Sequence, residues 1–242
     1  MNKLFILGYS AIDYFKEWYQ RENYPNTTLH LVDNNKQIIP DYFKPNLIHT
    51  THKNIGCSGG WNLICDIGFK YYGFDKIIVG QEDARFSEEI LNVITEHTSP
   101  TRIVGTYNNS FEFSLFGIHR DTFEKVGRFD ENFIYAGCED NDYKYRCKLV
   151  DVEIVSLGVP HSYNANATTY EGSPYIPNPI RKYNENYVHN KWGHYTYTSP
   201  FNNAAIEKFT DTFKEVYGNL EQWPSESEFI SYKNQNENSI PQ

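Results

Sequence analysis

The stretch "FDKIIVGQEDARF", Phe74 to Phe86, runs from a short apolar segment straight into Gln81, Glu82 and Asp83. Lys76–Gly80 reads as a buried β-strand, and its exit delivers two carboxylates to the strand's end. The chain on either side repeats the same grammar. Upstream, "WNLICDIGFKYYG" (61–73) fits a helix with Leu63, Ile64, Ile67 and Tyr71 on one side and Gly73 as its C-cap. Before it, "NIGCSGGWN" (54–62) reads as a glycine-bearing loop fed by a strand within "NLIHTTHKNIG" (46–56). Further upstream, "TLHLVDNNKQ" (28–37) is a buried strand closing on Asp33-Asn34-Asn35. The chain opens with the strand "KLFILGYS" (3–10) and a helix carrying Ile12, Phe15, Trp18 and Tyr19.

Downstream the alternation continues. Ser87 is placed to cap a helix bearing Ile90, Leu91 and Ile94. "FEFSLFGIHR" (111–120) reads as a strand, and "DTFEKVG" (121–127) as a short helix in which Asp121 and Glu124 have capping-box spacing and Gly127 closes the end. A further helix begins near Glu139, with Tyr143, Cys147 and Val150 in phase. The strand in "VEIVSLGVPHSYNA" (152–165) delivers His161 to its end. Alternating strands and helices predict an α/β domain with a mostly parallel sheet, whose ligands collect at the carboxyl ends of the strands. Asp33, the "GCSGG" loop and "QED" all fall at such ends. Beyond residue 170 the chain is rich in Tyr, Asn and Pro, with an amphipathic helix expected around "AAIEKFTDTFKEVYG" (204–218) and a polar tail from Ser225.

Composition narrows the function classes. The 242 residues suit one domain with a short appendage. A net charge of −9 argues against broad binding of phosphate backbones, which rests on Lys/Arg neutralisation. Cys57, Cys65, Cys138 and Cys147 form no CxxC pair, and no signal-peptide pattern opens the chain. Reduced thiols in a cytoplasmic protein are therefore expected. No apolar run reaches the length of a membrane span, so membrane contact would be peripheral.

Three groups of residues carry chemistry. Gly59 and Gly60 allow close backbone approach, and the helix N-terminus after them suits an anion. Glu82 and Asp83 offer hard oxygen ligands to a divalent cation, with His161 as a further candidate. "YAGCEDND" (135–142) crowds Glu139, Asp140 and Asp142 at a helix N-terminus, where the macrodipole favours the ionised carboxylate. A helix start decorated with solvated acids is the common reading of such a segment. The lack of a GxGxxG fingerprint leaves a dinucleotide oxidoreductase unsupported.

Taken together, these segments resemble the GT-A fold glycosyltransferases of the family 2 type, in the pattern of its rhamnosyltransferase-like and galactosyltransferase-like members. "LVDNN", "NIGCSGGWN", "IIVGQEDARF" and the long segment "FGIHRDTFEKVGRFDENFIYAGCEDNDYKYRCKLVDVEIV" carry the resemblance over residues 4 to 165, and "NKWGHYTYTSPFN" (190–202) is similar to a tail of some relatives. It implies a Rossmann-like α/β/α sandwich over 1–200, with a helical extension and polar tail over 201–242. It also implies an inverting, metal-dependent transfer from a nucleotide-diphosphate sugar, UDP- or dTDP-linked, to a glycan or other hydroxyl acceptor such as a surface polysaccharide.

Carried over by position, Asp33 contacts the nucleoside; Gly59, Gly60, Asn62 and Glu82 border the donor; and Asp83 binds Mn²⁺ or Mg²⁺ with His161. Asp140 becomes the catalytic base, Glu139 binds the acceptor, and Asp142 supports the helix end. Tyr163, Tyr170 and Trp192 belong to the expected acceptor side. Gln81 stands where the DxD pattern has its first Asp, a departure that either weakens metal binding or shifts it toward His161. The rival readings are a sugar nucleotidyltransferase, for which "LGYSAIDYFKE" (7–17) lacks the basic glycine-rich loop, and a glycan-binding or regulatory module that kept the fold without turnover.

Overall fold

The computed structural model describes residues 1–8, 15, 19, 23–34, 47–51, 55–106, 113–133, 135–157 and 178–192. The strands are β1 (Asn2–Gly8), β2 (Thr27–Asp33), β3 (Leu47–Thr50), β4 (Lys76–Gln81), β5 (Arg102–Gly105), β6 (Leu115–His119) and β7 (Glu153–Ser156). They form one seven-stranded sheet in the order β3-β2-β1-β4-β6-β5-β7. Only β6 runs against its neighbours; the pairs β1–β2, β1–β4, β2–β3 and β5–β7 are parallel.

Alternation along the strands sends apolar side chains to both faces. Leu4 and Ile6 of β1, with Leu29 and Leu31 of β2, pack under α2 (Glu88–His97) and Phe15. Phe5 and Leu7, with Val32 and Val79, face the opposite layer. That layer is built from α1 (Gly56–Cys65), α3 (Arg120–Val126) and α4 (Glu139–Leu149). The result is the expected α/β/α sandwich with a mostly parallel sheet. A final helix, α5 (Asn178–Trp192), closes a smaller apolar cluster of Phe133, Cys138, Val188 and Trp192.

Several local expectations are met and several are corrected. Ser87 Oγ accepts the Ile90 N–H at 3.4 Å and caps α2, and α4 starts at Glu139 with Tyr143 and Cys147 fully buried. The capping box at α3 is not formed: His119 is its N-cap, and His119 Nδ1 accepts the Asp121 N–H. Gly127 ends α3 with φ +87°. Tyr71, placed by α-helical spacing on the apolar side, is 48% exposed. The reason is a π-helical turn, Asp66–Tyr71, which shifts the phase and buries Phe69 instead. The first helix at Phe15 and Tyr19 is described only at those two residues, and residues 193–242, with the helix and tail expected there, lie outside the described residues.

Candidate active site

The parallel register aligns the strand exits. Gly8 pairs with Asp33, Leu7 with Gln81 and Asp33 with Thr50, so β1, β2, β3 and β4 release their chains along one edge of the sheet. Asp33 is buried there, and its backbone carbonyl accepts the Thr51 N–H at 2.9 Å. The neighbouring Asn34 links two elements. Its Oδ1 accepts from the Ile55 N–H (3.0 Å) and the Thr51 hydroxyl (3.1 Å), while its Nδ2 donates to the Gly56 carbonyl (3.3 Å). Through Asn34, the end of β2 fixes the entry of α1.

The "GCSGG" segment is the first turn and a half of α1 and not a loop before it, because Gly56, at φ +73°, turns the chain directly into the helix. The glycines then serve packing. A Cβ at Gly60 would lie 2.5 Å from Leu7 Cδ1, and one at Gly59 would lie 3.1 Å from Ile55 Cβ. Their missing side chains therefore make room for the sheet and the helix entry. Asn62 is likewise spent on the fold. Its Oδ1 accepts the Phe129 N–H (2.8 Å), and its Nδ2 donates to the Phe129 carbonyl (2.9 Å) and to Glu131 Oε1 (2.7 Å).

At the end of β4, the Glu82 N–H bonds the Leu7 carbonyl and the Ala84 N–H bonds the Gln81 carbonyl, which turns Glu82 and Asp83 inward; both residues are buried. The α4 start comes to meet them. Tyr135, Gly137 and Cys138 all take positive φ (+58°, +107° and +75°), and Tyr135 and Cys138 are non-glycine residues in that strained region. The Tyr135 carbonyl accepts the Cys57 N–H, which joins this loop to the N-terminus of α1 and occupies one donor of the expected anion site.

Burial pushes the Cys57 thiol well up, and the negative fields of Glu139, Asp83 and Asp140 push it further. The loop before α4 thus meets the first turn of α1 at the Tyr135–Cys57 contact, and acids from the β4 exit and the α4 start act on the Cys57 thiol. Glu139 is 5% exposed, and its Oε2 makes no hydrogen bond. Burial, followed by the charge of Asp140, pushes its carboxyl up to about 8, against hydrogen bonds from the backbone of Glu139 and Gly137 and from the Cys57 side chain. Asp140 is different: it is half-buried, and its Oδ2 accepts from Lys144 Nζ at 3.1 Å. Two adjacent carboxyls therefore sit in unlike environments, one buried and one partly exposed.

Asp142 and Trp192 belong to a different structure. Asp142 is fully buried and accepts from Arg146 Nε (3.0 Å) and Trp192 Nε1 (2.9 Å), with Lys191 Nζ at 2.8 Å. Trp192, expected on the acceptor side, is equally buried, and its indole packs in the interior and donates to Asp142. Residues with no part in the sequence reading of the site, namely Asn34, Cys57, Asp130, Asn184 and Lys191, hold its framework. Only the local "DNN" turn chemistry at Asn34 offered a signal.

His161, Tyr163 and Tyr170 lie outside the described residues. Among the described residues no group of three His, Cys, Asp or Glu side chains is arranged to hold a metal ion, and no described helix is long and apolar enough to cross a membrane.

No family model matches the chain, and no curated protein matches it. Solved structures do. The structure of GalNAc-T7 with UDP, GalNAc and Mn²⁺ is 11% identical, with a TM-score of 0.51; the match covers 98% of this chain and 55% of that one. The chain thus spans about half the length of that neighbour. The catalytic domain of Drosophila β1,4-galactosyltransferase 7, in complex with xylobiose, is also 11% identical, covering 76% of this chain and 79% of that one, with a TM-score of 0.46. The chain has the GT-A glycosyltransferase fold.

Proposed function

We propose that the chain is an inverting glycosyltransferase that moves a sugar from a nucleoside-diphosphate donor to a hydroxyl of a glycan or similar acceptor. One observation carries this reading: Glu82 and Asp83 are buried at the β4 exit, and the loop that leads into Glu139–Asp140 is bonded to the head of α1 through the Tyr135 carbonyl and the Cys57 N–H, at the sheet edge where Asp33 ends β2. This is the edge at which open α/β sheets bind ligands.

Asp33 lies at the nucleoside end. Asp140, the more open carboxylate, takes the proton of the acceptor hydroxyl as that oxygen bonds to the anomeric carbon. The bond from that carbon to the diphosphate breaks with its electron pair leaving on the diphosphate, and a single displacement inverts the centre. Glu139, protonated at neutral pH because burial holds its carboxyl up to about 8, donates a hydrogen bond to the acceptor. A buried strand-end pair of acids, Glu82 and Asp83, is an oxygen donor set of the kind a hard cation accepts when phosphates and water complete its shell. Asp83, with His161, would hold Mn²⁺ or Mg²⁺, and the ion would stabilise charge on the departing diphosphate. A surface polysaccharide as acceptor and a cytoplasmic setting complete the reading.

The test is a thermal-shift panel of nucleoside diphosphates and nucleotide sugars, with and without Mn²⁺, followed by turnover of Asp140→Asn. One nucleotide should raise the melting temperature in a Mn²⁺-dependent way. Asp140→Asn should keep that shift while losing turnover by about 10²-fold or more. Nucleotide binding with no turnover in the unsubstituted chain would instead favour a binding module that kept the fold.

A further inference from the structure

The segment from Asp130 to Asp142 carries Glu139 and Asp140, and α5 holds it at three points. Lys191 Nζ bridges its two ends, lying 2.6 Å from Asp130 Oδ2 and 2.8 Å from Asp142 Oδ1. Asn184, fully buried, donates from Nδ2 to the Ala136 carbonyl at 3.0 Å, in the middle of the segment. Tyr187 donates its hydroxyl to Asp130 Oδ2 at 2.8 Å. Phe133 and Cys138 of the segment pack with Val188 and Trp192 of the helix. The contacts lie on the solvent-remote side of the segment: Asp130, Asp142 and Lys191 are all at least nine-tenths buried.

We propose that α5 is a latch that sets the position of Glu139 and Asp140, with Lys191 and Asn184 as positioning residues. This rests on the catalytic reading of Asp140 for its consequence on turnover, and on geometry alone for its mechanical part. The segment needs such a hold because three of its residues take positive φ and two of them are not glycine. Backbone in that region persists only where its surroundings over-determine it. Lys191, shared between two buried carboxylates at the two ends of the segment, supplies that constraint. Without the ammonium, Asp142 keeps Arg146, but Asp130 is left buried near it with the neutral donors Asn132 and Tyr187, a condition that opens the structure or forces protonation. Asn184 adds a hydrogen bond from the helix to the strained turn itself, at the Ala136 carbonyl.

The experiment uses the full chain and two variants, Lys191→Met and the charge-neutral Asn184→Ala. Three quantities are measured: amide hydrogen exchange of peptides covering 135–141, nucleotide affinity by titration, and kcat with KM for donor and acceptor. Both variants should speed exchange across 135–141 by about tenfold or more, while peptides from β1 and β2 stay unchanged. Affinity for the nucleotide should stay within about twofold, because the donor side is built on β2, α1 and β4, and kcat should fall by about tenfold. Unchanged exchange at 135–141 in Asn184→Ala overturns the latch, as does a loss of protection spread evenly over the sheet in both variants. Should the unsubstituted chain turn over no donor, the catalytic reading fails by that result, and the exchange measurement still decides the latch.

Discussion

Glu139 and Asp140 are chemical near-equals placed one residue apart, yet the fold separates them. Glu139 is buried and accepts a hydrogen bond from Cys57, and Asp140 is partly exposed and paired with Lys144. The raised carboxyl of Glu139 makes stability depend on pH. An ordinary Glu titrates at about 4.3, and Glu139 at about 8, so between these values the folded chain binds a proton that the unfolded chain has lost. Its contribution is therefore full below about pH 4 and is lost as pH rises through about 8. In calorimetry the melting temperature should fall from pH 6 to pH 9 more steeply in the unsubstituted chain than in Glu139→Gln. Equal slopes would show that Glu139 ionises normally.

At the scale of elements, the entry of α1 is the sharpest constraint. Gly56 combines φ +73° with a position where a Cβ would stand 2.8 Å from the Tyr135 carbonyl oxygen. That oxygen is also the acceptor for the Cys57 N–H, so helix and loop are pressed together at one backbone contact. Gly56→Ala should cost about 1–3 kcal/mol in urea unfolding, from left-handed strain on a residue with a side chain. It should also weaken nucleotide binding, because the helix start and the "QED" turn share the site. The glycines of "GCSGG" follow β3, and Tyr135, Ile55 and Leu7 stand where Cβ atoms on Gly56, Gly59 and Gly60 would lie. Glycine records only that a Cβ is absent; whether Leu7, Tyr135 or a substrate occupies the space depends on what the sheet brings there.

For the whole molecule, the ionic cluster of Asp130, Lys191, Asp142 and Arg146 joins a helix late in the chain to the α4 start. Lys191, Asn132 and Tyr187 overcome the burial of Asp130 and hold its carboxyl down to about 2. The sign is opposite to that of Glu139. Its stabilisation is present above the ordinary Asp value of about 4 and is lost as pH falls through about 2. Acid titration followed by near-ultraviolet circular dichroism should show α5 and its Trp192 released ahead of the sheet. Asp130→Asn should remove this early acid phase while lowering stability at pH 7. A single cooperative acid transition in both proteins would contradict this account.

Two periodicities, of two residues in the strands and 3.6 in the helices, determined the α/β class, the order of elements and the placing of Asp33, Asp83 and Asp140 at element ends, because such patterns depend only on neighbours along the chain. The parallel sheet then follows from the alternation itself. Tertiary structure alone decided which carboxyl is buried and which is partly exposed, that Asn62 and the glycines of α1 serve packing, and that Trp192 is a buried donor to Asp142. Those outcomes depend on burial and on partners far away in sequence: 67 residues separate Asn62 from Phe129, and 50 separate Trp192 from Asp142. A local pattern records what a side chain can do, and the groups that fold against it decide what it does.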